Sequence, residues 1–112
     1  MGIIVLNENL YISRNIANAD EIIANTSADN FKDKAFLICL NSASKNLMDI
    51  YYIQELKKPY INTDKLIVLA ICRDKADSKE ACAFIIERFM QEYNNMEDFK
   101  TKVGLIGWGK ND

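Results

Sequence analysis

The chain contains no histidine, and that absence limits its chemistry more than any residue present. Ser-His-Asp and Cys-His catalysis, His-ligated zinc or iron, and histidine-based pH sensing are all removed together. Any chemistry would have to run on carboxylates, Lys, Tyr, Cys or an outside cofactor. The carboxylates offer little. Glu80, Glu87 and Glu92 share a helical stretch with Lys79 and Arg88, and Glu97-Asp98 falls in a polar connection. Mixed charges at helical spacing read as a solvated face, and none of these groups has the apolar setting that raises a carboxyl pKa. Cys39, Cys72 and Cys82 are odd in number and match neither CxxC nor zinc-finger spacing. They read as small buried hydrophobes in a reducing cytosol. No catalytic residue, metal ligand or cofactor is assigned, and an enzyme ranks last among the functions considered.

Two groups of residues remain that could bind. The first is Ser42, Ser44 and Lys45, taken with Arg73 and Lys75. They follow the apolar runs that end at Leu40 and Cys72. In an open parallel sheet, ligands sit beyond the carboxyl ends of the strands. Neighbouring strands would then bring both loops to one edge, around an anion held at a helix N-terminus. Against this, neither loop has the glycine that lets a phosphate-binding backbone approach closely, and serines in such places often only cap helices. The second group is Met48, Tyr51, Tyr52 and Tyr60, with Trp108. Aromatic residues beyond the needs of a core are typical interface anchors. The competing reading is that they fill the core or cover a sheet edge.

The elements that must position these groups follow from the hydrophobic pattern. Leu66-Ile67-Val68-Leu69-Ala70-Ile71-Cys72 is apolar at every position, so this strand must be covered on both faces. The helix expected from Asp77, with Asp77 as cap and Glu80 reaching back, carries Ala81, Cys82, Phe84, Ile85, Ile86, Phe89, Met90 and Tyr93 and can supply one cover. Asn94-Asn95 should stop it. Lys34 to Leu40 reads as a second buried strand, and Ile3–Leu6 with Leu10–Ser13 as a hairpin turning at Asn7-Glu8-Asn9. A short helix is expected over Asn15 to Asn25, with Asn18 and Glu21 resembling a capping box.

A further helix is expected from about Asn46 to Lys58, ended by Pro59. Its apolar stripe is wide, as though buried on two sides. Phe99 to Leu105 reads as a half-exposed edge strand, and residues from about 106 to 112 as a loosely docked tail. The expected order is therefore β(β)αβαβαβ: a small single-domain α/β sandwich of four to five strands, mostly parallel, with three helices.

With 112 residues, 27% charged and a net charge of -2, the chain reads as one soluble domain without a dominant nucleic-acid or anionic-membrane surface. The start, Met1-Gly2-Ile3-Ile4-Val5-Leu6, lacks the basic region of a signal peptide, and no stretch approaches the ~20 apolar residues of a membrane span. A cytoplasmic setting follows, and richness in Ile, Asn and Lys suggests a bacterial gene. The leading expectation is a non-enzymatic protein-binding module, adaptor- or immunity-like, or a homo-oligomer. The alternative is a small anion- or ligand-binding domain built on the two strand-end loops.

Overall fold

The computed structural model describes residues 4–108. In chain order the elements are β1 (Val5–Ile12), α1 (Ala19–Ser27), β2 (Phe36–Asn41), β3 (Asp49–Tyr52), β4 (Leu66–Cys72), α2 (Lys75–Tyr93) and α3 (Phe99–Lys102). Short 3-10 turns span Ile53–Lys57, Thr63–Lys65 and Val103–Leu105. The strands form one sheet in the order β1-β4-β2-β3. A radius of gyration of 13.3 Å is close to the ~13 Å of a single compact unit of about 100 residues.

β4 occupies the interior of the sheet, as its unbroken apolar run requires. Only Ile67 among its residues is exposed. Its two faces serve two cores. On one side Leu66, Val68 and Ile71 pack with Leu37, Cys39, Ile22, Phe31, Ile53 and Leu56. On the other, Leu69, Ala70 and Cys72 pack with Ile38, Leu40, Ala81, Ile85, Phe89, Phe99 and Val103. Leu69 has no partner on β2, where Ile38 pairs with Ala70 and Cys39 with Val68. This one-residue bulge lets Leu69 and Ala70 serve the same core. α2 supplies the cover expected of it: Ala81, Ile85 and Phe89 recur every four residues along one buried stripe.

The sheet is mixed and not mostly parallel. β1 runs parallel to β4, but β2 runs antiparallel to both β4 and β3. The cause lies in the segment expected to be a helix from about Asn46 to Lys58. It is instead β3 followed by the 3-10 turn Ile53–Lys57. Ile50, Tyr51 and Tyr52 are β-branched or aromatic, and such residues favour a pleated, half-buried surface. Without an α-helix there, β2 and β3 form an antiparallel hairpin. Residues 53–65 then cross one face of the sheet, burying Ile53 and Leu56, to start β4 at the opposite end, on the far side of β2. The serines and asparagines of the connection close turns and do not cap a helix. Asn41 Oδ1 accepts from the Ala43 N–H, and Ser44 Oγ accepts from the Asn46 N–H. The wide stripe is explained as well: Ile50 and Tyr51 point to opposite faces of the sheet.

Two other expectations are corrected. The residues from Phe99 to Leu105 form α3 and a 3-10 turn, not an edge strand, because Phe99, Val103 and Ile106 recur at helical spacing and all three are buried. The N-terminal hairpin is one strand, β1, interrupted by a large bulge. Leu6 pairs with Val68 and Tyr11 with Ala70, so Asn7 to Leu10 stand opposite Leu69 alone. The observed order is thus βαβββαα. α2 begins two residues earlier than expected, capped by Asp74, whose carboxylate accepts from the Asp77 N–H at 2.8 Å. It ends at Asn94 in the left-handed conformation, where Asn is tolerated. α1 starts after Asn18, which makes no side-chain cap. Ile106 is buried, and Gly107 accepts a hydrogen bond from Arg88, so this part of the expected tail is docked. Residues from Gly109 on, and Ile3 of the expected first strand, lie outside the described residues.

Candidate functional site

The antiparallel β2–β4 pairing places the two strand-end loops at opposite ends of the sheet. Asn41, at the end of β2, is level with Leu66 at the start of β4, while Cys72 at the end of β4 is level with Phe36. Ser42, Ser44 and Lys45 are therefore roughly 20 Å from Arg73 and Lys75, given ~3.3 Å per residue along β4. No helix follows Ser44 or Lys45 to present free N–H groups. At the other end, the start of α2 is filled by its own carboxylates, Asp74 and Asp77, and Arg73 turns its guanidinium onto Asp74. Ser44 instead supports the fold: its carbonyl and that of Asn41 both accept from the Lys100 ammonium of α3.

The aromatic group is also divided. Tyr52 stacks on Phe36 at 5.1 Å on the face that carries α2, while Tyr51 packs on the opposite face and bonds Asn41 through its hydroxyl. Tyr51 stays protonated well above neutrality, because burial pushes its pKa up. Met48 is packed against the core on the face that carries α2, and Tyr60 is 74% exposed. Trp108 lies at the other edge of the sheet, three strand spacings away, or about 14 Å across the sheet.

What the structure does assemble is a groove of about 950 Å³ along the outer edge of β1. Its floor is the continuous run from Glu8 to Asn15, and its flanks come from Ile23 on α1 and from Asp77, Glu80, Ala81 and Phe84 on α2, with Trp108. Among the described residues, no strand pairs with this edge. Ser13 donates to the Ile71 carbonyl, and the parallel register sets Ile12 against Ile71. In such a ladder, alternate residues turn both backbone groups away from the neighbour, so the Ile12 N–H and C=O face the groove.

The bulge and the C-terminal segment shape one end of this groove. Asn7 and Asn9 donate through their side-chain amides to the Gly104 carbonyl, both at 3.1 Å, and the Trp108 indole N–H donates to the Asn9 carbonyl at 2.6 Å. That bond fixes the indole against Tyr11 and Phe84, with ring centroids 6.1 and 6.2 Å away, and Tyr11 meets Phe84 at 5.3 Å. The three rings form one apolar shelf beside the free strand edge. Burial, with help from Cys72 and Asp77, raises the Tyr11 pKa and keeps its hydroxyl protonated.

Asp77 anchors the other end. Burial pushes its carboxyl pKa up, but hydrogen bonds more than offset this and hold it below the usual carboxylate range. The Arg73 N–H donates to it at 2.8 Å and the Asn15 amide at 3.0 Å, and the Ser13 hydroxyl acts in the same direction. Asp77 therefore ties the end of β1 to the start of α2 while remaining charged. A smaller cavity of about 270 Å³ lies beside Asn41, Tyr51, Tyr60 and Lys65.

Of the two binding groups read from sequence, only Trp108 belongs to the groove. Tyr11, Phe84, Glu80 and Ile12 were not foreseen as a group, because they come together only through the parallel β1–β4 pairing. Asn7 and Asn9 carried a signal, since asparagines interrupting an apolar strand mark a bulge as well as a turn. Among the described residues, no three Cys, Asp or Glu side chains are grouped to hold a metal ion, and no helix is long and apolar enough to cross a membrane. Comparison of the chain with family models, with curated proteins and with solved structures finds no match in any of the three.

Proposed function

We propose that this protein is a non-enzymatic protein-binding module that receives an extended segment of its partner along the outer edge of β1, in a cytoplasmic setting. One observation carries the reading: an open groove whose floor is an unpaired strand edge and whose flank is the aromatic shelf of Tyr11, Phe84 and Trp108. Strand addition draws affinity from backbone hydrogen bonds, and the pockets for alternate side chains supply selectivity. The competing edge is poorly suited to the same role. β3 has four residues, and the Glu55 carboxylate already accepts its Tyr52 N–H at 2.8 Å. Short, self-blocked edges are a common defence against unwanted pairing. Three cysteines that are all unpaired support the reducing compartment.

The test is selection of short random peptides on the purified chain, followed by amide chemical-shift mapping of the strongest binder. Shifts are expected at Leu10, Ile12 and the Trp108 indole. Phe84→Ala should weaken binding about tenfold by removing one wall of the shelf, at ~1.4 kcal/mol per tenfold. Ile12→Pro removes an outward N–H, a substitution edge strands tolerate, and should weaken it at least as much. Binders whose shifts fall on Asp49–Tyr52 instead, or that ignore both substitutions, would overturn the proposal.

A further inference from the structure

Along the groove the ionisable side chains are unequal. Glu8, Asp77 and Glu80 oppose Arg14 alone among the charged residues lining it, three acidic groups against one basic. Asp77 is already engaged by its donors, but Glu8 and Glu80 are exposed and take no salt bridge among the described residues. Glu80 lies on α2 one turn before Phe84. Tyr11, Phe84 and Trp108 add their ring faces, whose negative quadrupole attracts cations.

A strand added beside β1 sends alternate side chains toward α2. The one level with Tyr11 would lie over the shelf and within reach of Glu80. There a carboxylate would meet like charge, an amide only the rings, and a cation both attractions at once.

We infer that the segment seated on β1 carries an arginine or lysine at the position level with Tyr11, over the shelf and opposite Glu80. The inference rests on the strand-addition reading and deepens it by naming the recognised chemistry. Charge complementarity also favours this occupant over a second copy of the chain, whose own groove lining carries the same acidic excess.

Trp108 is the single tryptophan of the chain, so its emission reports occupancy directly. The probes are three acetylated, amidated heptapeptides of alternating Thr and Val that differ only in a central Arg, Gln or Glu. The Arg peptide should bind about tenfold more tightly than the Gln peptide, with the Glu peptide weakest. That preference should shrink as salt rises from ~0.05 to ~0.5 M, where charges on exposed groups are screened. Glu80→Gln should reduce the Arg preference, and Glu80→Arg should transfer it to the Glu peptide.

Equal affinity for the Arg and Gln peptides, or a preference untouched by Glu80→Gln, overturns the inference and leaves strand addition standing. Failure of all three peptides to bind, while the fold remains intact, overturns both. A chain that is already a dimer by light scattering and becomes a monomer on Phe84→Ala would replace the cationic segment with a second copy.

Discussion

Removing Asp77 should loosen the junction between β1 and α2 by an amount that can be worked out. Its carboxylate accepts from the Arg73 N–H and the Asn15 amide, and it is 9% exposed. Hydrogen bonds to a charged group contribute about 1.5–3 kcal/mol each, and an abandoned buried donor costs about 1–3 kcal/mol. The bonds share one acceptor and will not add fully, so Asp77→Ala should cost roughly 3 kcal/mol. That is a large share of the ~5–15 kcal/mol that holds a domain folded, and at about 4 °C per kcal/mol it lowers Tm by roughly 12 °C.

Asp77→Asn keeps a neutral acceptor and should lose about half as much, since the charge assistance goes. The pH dependence has a definite sign. The folded pKa lies below the ordinary value of 3.8, so the charged form stabilises the fold fully above that value. This contribution is lost as pH falls through the lower, folded pKa. Urea unfolding followed by Trp108 emission, from pH 7 down to 3, should show the gap between the native chain and Asp77→Asn narrowing in acid. A cost below about 0.5 kcal/mol for Asp77→Ala, the level of an ordinary surface change, would refute the anchoring role. A pH-independent gap would refute the electrostatic part alone.

Two further outcomes follow from the packing. Cys72 is buried and its pKa is pushed up to about 12, by burial first and by the nearby Asp77 second. At pH 8 its thiolate fraction is about 10⁻⁴ against roughly a quarter for a free thiol, so alkylation should be on the order of a thousandfold slower. Mass spectrometry should find Cys82, which is half-buried, modified well before Cys39 or Cys72. Equal labelling of all three in the native protein would contradict the packing of β2 and β4. Gly104→Ala would place a Cβ 2.6 Å from Asn7 Oδ1. The Asn7 side chain must then swing away from the carbonyls of Asn9 and Gly104, at a cost of about 1–2 kcal/mol. In a cycle with Asn7→Ala the double variant should lose less than the sum, and strict additivity would show that the two residues are not coupled.

The legible parts of the fold were those where one physical constraint acts alone. β4 could be read because seven apolar residues in succession have no solution except burial on both faces. α2 could be read because its stripe repeats over nineteen residues and the Asn94 stop is unambiguous. The segment Met48 to Lys57 failed because its apolar spacing satisfies a helix and a strand with a 3-10 turn equally well over so short a run. Only the presence of β2, ready to pair with Ile50 to Tyr52, decides between them. Phe99 to Leu105 failed in the opposite sense. Its helical spacing was present, but the interrupting lysines gave an apparent alternation.

By itself, the sequence settled that the chain is an α/β domain, though not that its sheet is mixed, and it settled the interior strand, its main covering helix and the loss of all histidine chemistry. These depend on residue types and on periodicity within one element. The tertiary structure alone decided the mixed strand order, the separation of the two loops and the groove on β1. Each of these depends on which strand lies beside which, and in what direction. Pairing energy comes from backbone groups that every residue carries, so a single sequence leaves few marks of the choice. The groove is the clearest case. Tyr11, Phe84 and Trp108 span almost the whole described chain, and they meet only because β1 lies parallel to β4 and α2, packed over β4 and β2, extends Phe84 onto Tyr11.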